Sequence, residues 1–106
     1  MLRATLGALA ALALLAPSVL VTAGGGASVS MHDLKFDPQV LTIHAGDTVT
    51  WSNDDAIEHT VTLDGVWDSS ELWPGDSYAR TFDLPGPFPY RCVYHFTMVA
   101  AVVVEP

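Results

Sequence analysis

Apolar and polar residues alternate with a period near two over most of the chain, in runs too short for helices. Val29 and Met31 open a first run that extends toward Phe36, and Asp37-Pro38 ends it with a turn. Val40 to His44 reads as a strand closed by Ala45-Gly46-Asp47, and Thr48 to Ser52 alternates around Trp51 with β-branched neighbours. Asn53-Asp54-Asp55 is a polar loop, and His59 to Leu63 begins another strand. Asp64 to Pro74 is irregular, and Pro74-Gly75-Asp76 turns the chain into an alternating Ser77 to Phe82. Pro85-Gly86-Pro87 leads into Phe88 to Cys92, and Val99 to Val104 forms the last strand. About seven short strands at roughly ten-residue spacing, punctuated by Gly and Pro, predict an all-β, antiparallel sandwich. Trp51, Phe82 and Val102 to Val104 are its expected core, while Trp67 and Trp73 belong to the irregular stretch and are assigned no role.

The opening of the chain breaks this pattern. Arg3 supplies a positive start, Leu6 to Ala16 is uninterruptedly apolar, Pro17 ends the run, and Val21-Thr22-Ala23 offers small residues for cleavage. Residues 1–23 are therefore expected to be a helical signal peptide, with a cut after Ala27 as the alternative, and residues 24–106 a single domain. An uncleaved anchor is the competing reading, but the apolar run falls short of the ~20 residues that a span prefers. No cysteine stands just after the run, which excludes a lipid-anchored cysteine there. The expected location is periplasmic, or otherwise exported, with no membrane association after cleavage.

Composition narrows the function. Four Lys/Arg against twelve Asp/Glu give a formal net charge of −8, and losing Arg3 with the leader makes the remainder one unit more acidic. Such a surface repels nucleic acid and anionic membranes and leaves soluble basic partners. Ten aromatic residues (three Trp, three Tyr, four Phe) argue against disorder. A body this small gains from a bound metal or disulfides, and a lone cysteine, Cys92, excludes an internal disulfide.

The neighbours of Cys92 carry the chemistry. Cys92-Val93-Tyr94-His95-Phe96-Thr97-Met98 lies between two strand patterns, with thiolate, imidazole and thioether three residues apart. Steps of 100° would scatter these groups around a helix, whereas a tight loop lets them converge. Soft sulfur donors with imidazole suit copper, and a mononuclear blue-copper site adds a second histidine to Cys, His and a weak axial Met. His59, after a polar loop, is the candidate. The competing readings are a buried structural thiol for Cys92, core packing for Met98 and a surface imidazole for His59. His32 and His44 read as strand-surface residues.

At this point the sequence resembles a family. Phe36-Asp37-Pro38, Ala45 to Asn53, His59-Thr60-Val61, Thr81-Phe82, Pro85-Gly86, Tyr90-Arg91-Cys92, His95, Met98 and Val102 to Glu105 are similar to the small cupredoxins. The likeness is greatest to the amicyanin branch, followed by plastocyanin and pseudoazurin, and spans residues 29–105. The short Cys-x2-His-x2-Met loop is the feature that points to that branch. The resemblance implies a Greek-key sandwich and one type 1 copper ion, with His59, Cys92 and His95 as strong ligands and Met98 axial. It also implies one-electron transfer between larger redox proteins, such as a basic c-type cytochrome or a dehydrogenase, by a monomer that is not an enzyme.

The chain departs from that pattern at four places. Glu58 replaces a common Pro before the first histidine, and a carboxylate there is expected to favour Cu(II) and lower the potential. Phe96 and Ala100 stand where related loops carry Pro and Gly, which predicts a looser loop or a less well placed Met98. Thr60 follows His59 in place of Asn, altering the hydrogen bonds around the site. Alternative functions are an exported copper carrier or sensor, a zinc-filled structural module, a cysteine hydrolase and a multicopper oxidase. The hydrolase needs a cleft and oxyanion hole this small body scarcely supplies, and the oxidase needs many more histidines.

Overall fold

The computed structural model describes residues 25–106, so the expected signal peptide at residues 1–23 lies outside the described residues. Nine strands follow in order: β1 (Gly26–His32), β2 (Lys35–Asp37), β3 (Val40–His44), β4 (Asp47–Asn53), β5 (Thr62–Leu63), β6 (Trp67–Asp68), β7 (Ser77–Phe82), β8 (Gly86–Arg91) and β9 (Val99–Glu105). They form a β-sandwich of two sheets, ordered β2-β1-β4-β7 and β3-β9-β8-β5-β6. The sandwich is the expected architecture, but its sheets are mixed: β1 runs parallel to β4, and β3 parallel to β9. Period-two patterning specifies which face a residue takes and is silent on strand direction.

Alternation decides the core. Along β4, Asp47, Val49, Trp51 and Asn53 are buried while the residues between them are half-buried. Along β9, Ala100, Val102 and Val104 point inward. Trp51 is at the centre and spans the sandwich, its indole N–H donating to the Tyr90 hydroxyl of the facing sheet at 3.0 Å. The phenol's pKa is pushed up to about 12, chiefly by burial, with the bond from Trp51 pulling the other way. Phe36, Trp67 and Phe82 complete the aromatic cluster around these two rings.

Polar residues close both ends of β4. At one end the buried Asp47 carboxylate accepts the backbone N–H of Gly25 at 3.0 Å and of His44 at 2.9 Å. At the other, the Asn53 amide donates to the carbonyls of Ile57 and Leu72, both at 2.8 Å, and its oxygen accepts the N–H of Asp55 at 3.0 Å. Asn53 thereby fixes the loop that carries His59.

Four local expectations are corrected. The first run divides into β1 and β2, because Asp33 and Leu34 turn the chain with φ of 53° and 59°. The His59 to Leu63 strand shrinks to Thr62–Leu63, and His59 itself makes an isolated bridge to Leu72. The irregular stretch hides the two-residue β6, which places Trp67 in the core. The strand expected over Phe88 to Cys92 covers Gly86–Arg91, which leaves Cys92 in the following loop.

Candidate metal centre

Two segments meet at one end of the sandwich. His59 is held by reciprocal backbone hydrogen bonds with Leu72, N–H to carbonyl at 3.0 and 2.8 Å. Cys92 directly follows β8, and the loop to β9 closes on itself, with Cys92 N–H donating to the Met98 carbonyl at 3.1 Å and Met98 N–H to the His95 carbonyl at 2.8 Å. Those two bonds tighten the loop despite Phe96 and Ala100. Met98 is 1% exposed and Ala100, inward on β9, 8%.

Within this frame the sequence-nominated donors converge. His59 Nδ1 lies 3.8 Å from Cys92 Sγ, and His95 Nδ1 lies 3.6 Å from it. One ligand atom from each of His59, Cys92 and His95 falls within 4.8 Å of the others. Metal–nitrogen bonds of about 2.0 Å and metal–sulfur bonds of about 2.3 Å, opened to tetrahedral or trigonal angles, separate N and S by about 3.5–3.7 Å. The spacing therefore fits one ion among the three atoms. One thiolate, two imidazoles and a thioether on the same loop match copper's preferences. His59 and Cys92 are wholly buried and His95 is half-buried, so the donors range from dry core to solvent. His32 and His44 remain away from this group, on strand surfaces beside Asp33 and Asp37 and beside Glu105 respectively.

The sequence reading missed Asp55. Its carboxylate Oδ2 lies 2.7 Å from His59 Nε2, and its two oxygens also accept the backbone N–H groups of Asp33 at 2.7 Å and Leu34 at 3.1 Å. Partial burial pushes this carboxyl's pKa up, but the His59 bond and the two backbone N–H groups outweigh it and leave the pKa below its ordinary value. The only signal in the sequence was an acid four residues before a histidine, inside a loop that read as merely polar.

Thr60 takes over the bonding around the thiol. Its backbone N–H points at Cys92 Sγ at 3.4 Å, and its hydroxyl accepts the Val93 N–H at 3.0 Å. The relay continues from Thr60 to the Thr62 hydroxyl at 2.9 Å and on to Asp68 at 3.1 Å. A side-chain hydroxyl thus ties the His59 segment to the Cys92 loop. On the outer side Tyr94 donates to Glu71 at 2.6 Å, which, with lesser help from desolvation and the charges of Glu71 and Glu58, pushes the phenol's pKa up to about 12.

Comparison with known proteins agrees with this geometry. Residues 23–105 match the family described as copper binding proteins, plastocyanin/azurin family. Amicyanin-alpha of Methylorubrum extorquens is 34% identical over 112 residues, covering 96% of this chain and 94% of that protein. The chloroplastic plastocyanin of Tetradesmus obliquus is 36% identical over 86 residues, 68% of this chain but only 59% of the plastocyanin. Among solved structures, a mutant amicyanin in its Cu(I) form superposes with a TM-score of 0.72 at 32% identity, over 79% of this chain and 86% of that one. A purple cupredoxin from Nitrosopumilus maritimus gives 0.71 at 28% identity, over 74% of this chain and 99% of that one. With donors, fold and sequence in accord, the chain belongs to the plastocyanin/azurin family of copper-binding proteins, as an amicyanin-like blue-copper cupredoxin.

Proposed function

We propose that the protein is a one-electron carrier between larger redox proteins, with His59, Cys92 and His95 as strong copper ligands and Met98 as the axial one. The observation that carries this is the assembly of two imidazole nitrogens and one thiol sulfur, from separate segments, within 4.8 Å. Bound copper supplies a one-electron couple. The chain holds the donors in place, so little need rearrange when the charge changes. Asn53, Thr60 and the two backbone bonds inside the 92–98 loop supply that rigidity.

His95 is the proposed electron port. It is half-buried in the loop whose other residues include Phe96 at 88% exposure and the partly exposed Val93 and Tyr94. An apolar surface around a ligand suits brief contact with a partner, and the acidic chain favours a basic one such as a c-type cytochrome or a dehydrogenase. The same surface offers docking in place of a substrate cleft, which supports a carrier over an enzyme, working as a monomer.

Export is part of the proposal, with residues 1–23 removed as a signal peptide and residues 24–106 left as one domain in the periplasm or outside the cell. No helix among the described residues is long and apolar enough to cross a membrane. A cut after Ala23 is favoured over one after Ala27, because Gly25 bonds Asp47 and Thr48, and Gly26 and Ala27 pair with β4. The intact mass of the exported protein tests this: a chain beginning at Gly24 is expected, and one beginning at Ser28 overturns it.

The electron-carrier reading is tested by titrating Cu(II) into metal-free protein. An intense thiolate-to-copper absorption is expected, absent in Cys92→Ser, and a reversible reduction wave accompanies it. Colour that survives in Cys92→Ser defeats the ligand set. Colour without a reversible couple turns the reading to a copper carrier or sensor.

A further inference from the structure

The buried histidine of the centre is not left to choose its own orientation. His59 is wholly buried, with Nδ1 facing Cys92 Sγ at 3.8 Å and Nε2 at 2.7 Å from Asp55 Oδ2. A neutral imidazole carries one N–H, and a carboxylate accepts but does not donate. In the neutral ring this pairing places the proton on Nε2 and leaves Nδ1 bare on the side facing the thiol.

Asp55 is itself locked. Its carboxylate receives the consecutive N–H groups of Asp33 and Leu34, and its own N–H is taken by Asn53. Asp33 and Leu34 both have left-handed backbones, φ 53° and 59°, an unusual conformation for a leucine. That conformation turns two successive N–H groups toward one carboxylate. The turn between β1 and β2 is thus wired to the centre through Asp55 and His59.

We infer that Asp55 is a positioning residue that selects the His59 tautomer and, by loading electron density onto the ring, sets the copper potential low; this rests on His59 being a copper ligand. A carboxylate behind a ligating imidazole raises its basicity and orients it. A more basic ligand stabilises Cu(II) more than Cu(I), which lowers the reduction potential. Asp55, bonded to the ring, does what the sequence suggested for the adjacent Glu58.

The test uses Asp55→Ala, Asp55→Asn and Asp54→Ala. Asp54 carries the same charge one residue away, but its carboxylate accepts the Ser30 hydroxyl at 2.6 Å, whereas the His59 ring is bonded to Asp55. Nitrogen-15 NMR of the metal-free full chain reads the tautomer directly, and potentiometry of the copper-loaded protein reads the couple. In the wild type His59 carries its proton on Nε2 alone. Asp55→Ala is expected to mix the tautomers and lower Cu(II) affinity about tenfold or more relative to Cu(I). A tenfold change in that ratio corresponds to a rise of about 59 mV for one electron. Asp55→Asn keeps an acceptor oxygen without the charge, so it retains the tautomer and moves the potential part of the way. Asp54→Ala moves it by less than a third of the Asp55→Ala shift.

An unchanged tautomer in Asp55→Ala, or a potential shift no larger than that of Asp54→Ala, overturns the inference. If Asp55→Ala fails to fold, the Asp55→Asn and Asp54→Ala potentials decide in the same way. A wild-type His59 whose ring nitrogens do not respond to copper defeats the ligand assignment instead, so the two failures are distinguishable.

Discussion

The two histidines of the centre are the same residue in opposite surroundings. His59 is buried, fixed at its backbone by Leu72 and at its ring by Asp55. His95 lies half-buried in a seven-residue loop between an exposed Tyr94 and a Phe96 that is almost wholly in solvent. Their near-equal distances to Cys92 Sγ, 3.8 and 3.6 Å, hide that asymmetry. On the proposed reading, the comparison teaches that one ligand holds the ion and the other connects it to the outside. A carrier needs both, because a site rigid on every side is insulated and one open on every side reorganises.

The sharpest way to break this comparison is to remove each ring in turn. In His95→Gly, added imidazole is expected to enter from solvent and restore most of the thiolate-to-copper absorption. In His59→Gly it is not, because the position is wholly shielded from solvent and Asp55 is left facing it. Equal rescue of the two variants refutes the division between them.

The link between the two sides is tested next. Thr60→Val keeps the shape but takes away the acceptor for the Val93 N–H and the hydroxyl bonded to Thr62, which keeps only its bond to Asp68. A loss of about 1–3 kcal/mol is expected in urea unfolding of the metal-free protein. No loss means that the two segments are held together by packing alone.

On the open side, Phe96→Ser is expected to slow electron exchange with a basic c-type cytochrome about tenfold, as loss of an anchoring aromatic contact does, with the potential unchanged. An unchanged rate relocates the docking surface away from His95.

The smallest effect concerns Tyr94. Its phenol, hydrogen-bonded to Glu71, ionises at about 12 against the ordinary 10.0. Because the folded value is raised, the bond's contribution is full below pH 10 and fades as pH climbs through 12. Titration at 295 nm is expected to show one fewer late-ionising tyrosine in Tyr94→Phe, with Tyr90 still ionising late.

Much of this molecule is legible from its residues because two local signals are strong. Period-two runs at Val40 to His44 and Ser77 to Phe82 coincide with β3 and β7, since each buries alternate side chains and ends at a Gly or Pro turn. Cys92, His95 and Met98 are legible because their spacing makes sense only as a loop. The split between β1 and β2 is not, because Leu34 in a left-handed conformation has no sequence signal and is sustained by its bond to Asp55. The two-residue β6 is equally silent, being defined by pairing with β5 and by the burial of Trp67.

The chain by itself determined the alternation that makes a sandwich and the donor chemistry that selects copper, because both are properties of side chains read along the backbone. Only the folded arrangement decided which strands run parallel, that His59 meets the 92–98 loop, and that Asp55 stands behind the ring with Thr60 bridging the two segments. Those are contacts between groups far apart in sequence or across a turn, and no local pattern encodes the distance at which they meet.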